Sequence, residues 1–255
     1  MTRRLRCAMA VSVGGGGLLL ILLQQGVAYF PWGIGVMVVI VGLQIALMMQ
    51  GKRPAASQAQ QLYLAGQFEE AVQALEQQLA TDPHNLDALT LLGNTYRQIG
   101  QLEASEQRLR EAVAYNPTHW MALYGLGRTL MVQGAYQEAV TTIETALQHG
   151  GRKSLRAELA LALYYAEALI EAKQAANLAA RRLSAEGYRI LMTNYLLYVF
   201  ATHEAERALA KQVMQRTAEG LVYWQAQAER FAQTPYGQRV AADVMTIQRI
   251  LEEQQ

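Results

Sequence analysis

Hydrophobic and polar positions follow three regimes along the chain. From Cys7 to Gly51 no residue is charged, and two apolar runs stand out, 7–24 and 34–50. Between 52 and 153, apolar residues recur at i, i+3, i+4 and i+7, the stripe of an amphipathic helix, in runs split by glycine-containing turns. From 154 onward the helical period continues without that strict punctuation. Alanine-rich stretches 154–171 and 174–185 form one expected helix pair, and 188–201 and 203–217 form another. A stretch at 220–233 carries Leu221, Tyr223, Trp224 and Phe231. Thr234-Pro235 then reads as an N-cap followed by proline at the first helical position, opening a last helix at 236–253. The pattern predicts an all-α chain.

The two apolar runs are close to the roughly 20 residues that a helix needs to cross a bilayer. Between them lies a segment with Gly26, Pro31 and Gly33 as turn-formers. Tyr29, Phe30 and Trp32 in the same segment suit the headgroup layer, where amphipathic rings concentrate. The expectation is a transmembrane helical hairpin within residues 1–51. Arg3, Arg4 and Arg6 precede it, Lys52 and Arg53 follow it, and its loop has no basic residue. The positive-inside rule then puts both ends, and everything after Arg53, on the cytoplasmic side. The first run also has the layout of a signal peptide, although Gly26-Val27-Ala28 is a poor cleavage site. Cleavage would leave 34–50 as a single anchor with the same orientation. Gly14–Gly17 fit close packing against the second run near Gly35 and Gly42.

The middle of the chain repeats itself every 34 residues. Gly66, Gly100 and Gly134 share that step, as do Ala59, Gly93 and Gly127, and Leu75, Leu109 and Ile143. Leu89, Leu92, Gly93 and Tyr96 fall on one helix face, and Leu102, Ser105, Leu109 and Ala112 on a face of the next. Gly93 and Gly127 sit where two helices come closest, so a small side chain is required there. Gly66, Gly100 and Gly134 suit a helix C-terminus that turns sharply. Asp82-Pro83 and Asn116-Pro117 stop one unit and start the next.

These residues closely resemble the tetratricopeptide repeat (TPR). The family's Leu-Gly, Tyr, Ala, bulky residue and Pro at fixed offsets are matched by Leu92-Gly93, Tyr96, Ser105, Leu109 and Pro117. They are matched again by Leu126-Gly127, Leu130, Tyr136, Ala139, Ile143 and Ala146, with Gly151 where proline is usual. The resemblance implies an α-solenoid with repeats at 52–85, 86–119 and 120–153. Residues 154–255 then read as diverged repeats with a terminal cap, or alternatively as a separate helical bundle.

Charge narrows the function. The chain has 22 basic and 21 acidic residues and a net charge of +1, no footprint for nucleic acid. One cysteine excludes an intrachain disulfide and a cysteine-cluster zinc site. His84, His119, His149 and His203 have no metal-ligand spacing, so no metal is expected. Phosphate-loop, dinucleotide and nucleophile-elbow motifs do not occur, and neither an enzyme nor a cofactor is expected. Arg181, Arg182 and Arg189 read as a solvated helix end, with contact to anionic lipid as the other option.

The resemblance implies a concave surface lined by the first helix of each repeat. Its candidate peptide-binding positions are Gln60, Tyr63, Asn94, Arg97, Tyr124 and Arg128. Gln60, Asn94 and Arg128 share one repeat position and would form a polar ladder; Arg97 and Arg128 could grip a carboxylate. The clamp of chaperone-tail-binding TPR proteins is absent, because its positions hold Ala56, Gln60, Leu91, Met121 and Gly125. The expected partners are a protein or peptide segment in the groove and the lipid bilayer through the hairpin. The expected role is a membrane-anchored adaptor in the assembly of a membrane complex, or else a structural accessory subunit.

Overall fold

The computed structural model describes residues 58–181 and 186–253. The two expected spans, 7–24 and 34–50, and positions 52–57 of the first repeat lie outside the described residues. Among the described residues, no helix is long and apolar enough to cross a membrane. The chain from Gln58 onward forms one compact unit.

Twelve α-helices and no strand occur among the described residues. They run α1 (Gln58–Leu64), α2 (Phe68–Thr81), α3 (Leu86–Gln98), α4 (Leu102–Tyr115), α5 (Trp120–Gln133), α6 (Tyr136–Gln148), α7 (Arg156–Tyr165), α8 (Leu169–Ala180), α9 (Gly187–Phe200), α10 (Glu204–Arg216), α11 (Leu221–Arg230) and α12 (Pro235–Glu252). Each packs on its neighbours in sequence except that α10 meets α12 rather than α11, and α3 also meets α5, as α7 meets α9. The odd-numbered helices from α1 to α9 are therefore the first helices of five stacked pairs.

The small residues predicted at the closest approaches are where contact is tightest. A Cβ added at Gly93 would lie 2.5 Å from Leu109 Cγ, and one at Gly127 would lie 2.6 Å from Ile143 Cγ1. Leu109 and Ile143 are fully buried, and Ala59 is buried at the equivalent place in the first pair. Between the second and third pairs, the Ser105 and Thr129 hydroxyls bond at 2.8 Å, so neither buried oxygen is left without a partner.

The turns within pairs are the left-handed kind. Gly100 has φ +80°, and the following amide of Gln101 donates to the Tyr96 carbonyl at 2.9 Å. The same bond joins Gln67 to Leu62 and Ala135 to Leu130. It ties off a helix end that would otherwise leave carbonyls without donors. The fourth pair repeats the turn with a different residue. Glu167 has φ +64°, and Ala168 donates to the Leu163 carbonyl at 3.0 Å. This corrects the expected helices 154–171 and 174–185: the break falls at 166–168, where glutamate takes the conformation that glycine takes in the first three pairs. The pair also begins later, because a 3-10 turn at Lys153–Leu155 precedes α7.

The last two helices depart from a further stacked pair. Helix α12 opens at Thr234, whose hydroxyl accepts from the Gly237 amide at 3.1 Å, with Pro235 behind it as predicted. It buries Tyr236, Val240, Val244, Ile247 and Ile250 along one face. Each buried apolar side chain of this size contributes about 1.5–3 kcal/mol of transfer free energy. That face does not close an end of the stack. It lies against first helices: α12 packs on α5, and Asp243 accepts from Tyr165 of α7 at 2.7 Å and from Tyr195 of α9 at 2.8 Å. Residues of α11 and α12 join the same hydrophobic core as α5, α7 and α9.

Candidate functional site

The six groove positions come from α1, α3 and α5, and the structure bonds Asn94 to Arg97 and Tyr124 to Arg128. Gln60 is exposed, and Tyr63 and Asn94 are half-buried. Gln98 donates to the Tyr63 hydroxyl at 3.4 Å, linking α3 to α1. Arg97 is 7% exposed and donates to Asn94 Oδ1 at 3.1 Å and to the Gly125 carbonyl at 3.4 Å. Burial, and after it the like charge of Arg128, push the Arg97 guanidinium below its ordinary value. Arg128 donates to the hydroxyls of Tyr124 and Tyr223, each at 3.2 Å.

The third-repeat end of this surface is closed by residues from outside the strict repeats. Glu158 of α7 accepts from Arg189 Nε at 2.7 Å and from the Tyr124 hydroxyl at 3.2 Å, and lies 3.9 Å from Arg128. Glu158 and Arg189 expose only 5% and 11% of their side chains. Arg189, expected at a solvated helix end, is instead a buried partner, and Glu186 holds its other side. Tyr223 of α11 stacks on Tyr188 at 3.9 Å between ring centres, and Trp224 donates to the Tyr188 carbonyl at 2.8 Å.

Helix α11 then runs toward the first repeat. Arg230 at its end donates to Gln98 and lies over the Phe68 ring, 5.8 Å from its centre. Helix α12 turns back: Pro235 sits beside Gly134, and Arg239 donates to the Tyr165 carbonyl at 2.7 Å. The open concave surface expected across all three repeats is therefore covered from α5 onward by the chain's own α11 and α12. The physical reason is the apolar face of α12, whose Tyr236, Val240, Val244, Ile247 and Ile250 are buried in one core with α5, α7 and α9. What stays accessible is the end beside α1 and α3, where Gln60 is exposed, Tyr63 and Asn94 are half-buried, and Gln98 meets Arg230.

Sequence reasoning missed Glu158, Arg189, Tyr223 and Arg230. The available signal was the 34-residue step itself. Tyr124 and Glu158 are 34 residues apart, so Glu158 continues the same helix face one repeat on. Among the described residues, no group of three or more His, Cys, Asp or Glu side chains comes together.

Two tetratricopeptide repeat family models match the chain, one over residues 62–117 and one over 90–154. These segments are tetratricopeptide repeats. Solved structures share the fold over much of the chain. PilF of Pseudomonas aeruginosa is 22% identical over 85% of this chain and 99% of its own, with a TM-score of 0.54. MamA of Desulfovibrio magneticus RS-1 is 18% identical over 63% of this chain and 89% of its own, with a TM-score of 0.52. YrrB, described as a TPR protein with an unusual peptide-binding site, is 16% identical over 70% of this chain and 94% of its own, with a TM-score of 0.51. At these identities the likeness is one of fold: the described residues form an all-α TPR solenoid. No curated protein matches the sequence.

Proposed function

We propose that this chain is a membrane-anchored TPR adaptor that holds a protein or peptide segment at the cytoplasmic face of a membrane, in the assembly of a membrane complex. It acts by binding rather than by catalysis. The observation that carries the reading is the accessible end of the groove. There, Gln60 is exposed, Tyr63 and Asn94 are half-buried, and Gln98 donates to the Tyr63 hydroxyl: amides and a phenol of the kind that pair with an extended peptide backbone. YrrB, of the same fold, is described with a peptide-binding site, which supports this use of the surface. The anchor rests on the uncharged runs 7–24 and 34–50 and their basic flanks. Tethering would raise the effective concentration of a partner near membrane proteins without tight intrinsic affinity.

A structural accessory subunit is the second reading. It is favoured by the coverage of α5, α7 and α9 by α11 and α12, which leaves a short groove. The two readings separate in affinity capture from native membranes. The adaptor loses its partners when Tyr63 and Asn94 are both changed to alanine, and keeps them when 1–51 is replaced by an unrelated anchor. The structural subunit shows the reverse. Protease added to the cytoplasmic side of sealed vesicles should digest the repeats; protection would overturn the topology.

A further inference from the structure

The second helices of the first two pairs leave a gap. Helices α2 and α4 each pack on α3, with little contact between themselves. Between them lies a cavity of about 320 Å³, at the small end of ligand sites, which run from roughly 300 to 1,000 Å³. Its floor is Leu89 and Leu92 of α3, and Leu79 and Pro83 form an apolar wall. Glu76 of α2 and Glu111 of α4 stand on its two sides. Glu76, Ala80 and Pro83 are exposed, so the cavity opens to solvent. Leu89 and Leu92 share the face of α3 that meets the second helices, whereas Asn94 and Arg97 are groove positions. The cavity is therefore separate from the groove.

The rim is short of positive charge. Arg108 pairs with Glu111 at 3.1 Å. Glu76 accepts from the Tyr96 hydroxyl at 2.6 Å, and among the described residues no basic side chain lies within 4.0 Å of it. Helix α2 carries Glu69, Glu70 and Glu76 and no basic residue. The next gap, between α4 and α6, is spanned by the chain's own arginine. Arg110, one 34-residue step after Glu76, donates to Glu106 at 2.7 Å and crosses to Glu138 of α6 at 2.6 Å. In the gap between α2 and α4 the same repeat position holds a carboxylate, and no guanidinium crosses.

We propose that this cavity takes an arginine side chain of a protein partner, on the outer, second-helix side of the first two repeats. The methylene stem lies on Leu79, Pro83 and Leu89, and the guanidinium sits between Glu76 and Glu111. Arginine suits the site better than lysine. Its stem is apolar, and its planar fork can donate to two carboxylates at once. The site stands apart from the adaptor reading and gives the chain a second contact surface.

The test follows the leucine methyl signals of the full-length chain in detergent by NMR as N-acetyl-arginine amide is added. Saturable shifts are expected at Leu79, Leu89 and Leu92. Glu76→Gln keeps an acceptor for Tyr96 and should weaken binding roughly three- to tenfold, the loss of one charge-assisted contact at an exposed rim. Ala80→Leu fills the cavity from an exposed position and should abolish binding. Glu70→Gln makes the same charge change on α2 outside the cavity and should leave binding unchanged. The N-acetyl amides of lysine, which lacks the fork, and of citrulline, which lacks the charge, should bind more weakly. The inference would be overturned by the absence of saturable shifts, by equal binding of the lysine or citrulline amide, or by unchanged binding in Ala80→Leu. Equal losses from Glu70→Gln and Glu76→Gln would overturn it too, and tighter binding of free arginine would replace the protein partner with a metabolite. None of these variants alters Gln60, Tyr63 or Asn94, so failure here leaves the adaptor reading of the groove standing.

Discussion

Glu167 gives the sharpest stability prediction, because its backbone and side-chain contributions can be separated. It holds φ +64° at the turn where Gly66, Gly100 and Gly134 hold +78°, +80° and +86°. A left-handed non-glycine residue costs about 1–2 kcal/mol from the contact of Cβ with the backbone. Glycine avoids that cost but gives back about 0.4–1 kcal/mol through the freer unfolded chain. The side chain of Glu167 is 82% exposed and pairs with Arg239 at 3.6 Å, a contact worth about 0–1 kcal/mol. Glu167→Ala removes the ion pair and keeps the strain, while Glu167→Gly removes both. The glycine variant should therefore be more stable than the alanine variant by about 0.5–1 kcal/mol, roughly 1–4 °C in melting temperature for a unit of this size. Gly100→Ala is the mirror test. An added Cβ there meets nothing within 4 Å, so any loss is conformational and should be of the same size with the opposite sign. Thermal unfolding of the three variants by circular dichroism decides it. Equal melting of Glu167→Gly and Glu167→Ala would refute the assignment of Glu167 to the repeat turn.

Other perturbations probe packing and charge. Gly93→Ala places a methyl 2.5 Å from Leu109 Cγ and should destabilise by about 1–3 kcal/mol, read by denaturant titration. Glu158→Gln leaves Arg128 and Arg189 without their shared counter-charge and should cost about 3–5 kcal/mol by the same measurement. Burial raises the Asp243 carboxyl above its ordinary 3.8, against the Tyr165 and Tyr195 bonds and Arg239, which lower it. The folded state then binds the proton more tightly than the unfolded one. The resulting stabilisation is complete below 3.8 and fades as pH rises through the raised folded value. Asp243→Asn should flatten this fall, seen as a melting-temperature difference from the parent that changes over that interval and is constant below it.

The repeat architecture was legible because its constraints are local. Gly93 and Gly127 are small where Leu109 and Ile143 press against them, and both demands recur at a fixed step. Thr234-Pro235 announced α12 through its own capping chemistry. The fourth turn escaped because a left-handed position usually advertises itself as glycine, and here it is glutamate within an alanine-rich run. The coverage of the groove escaped for a different reason. The apolar face of α12 is visible as Tyr236, Val240, Val244 and Ile247, but a face records that it is buried, not against what. Asp243 finds Tyr165 and Tyr195 across 78 and 48 residues of sequence, and Arg230 finds Gln98 across 132. Candidates Tyr124 and Arg128 were correctly placed on first helices, yet their partners Glu158, Arg189 and Tyr223 could be assigned only once α7, α9 and α11 were in position.

The central claim is that partners enter at the open end of the groove formed by the first two repeats. Site-specific photo-crosslinking in native membranes tests it most directly, with a photoreactive phenylalanine analogue at Tyr63 or, as a control, at Leu178, an exposed position on α8. The account predicts a discrete crosslinked partner from position 63 and none from position 178. Crosslinks from 178 alone, or the same products from both positions, would contradict it.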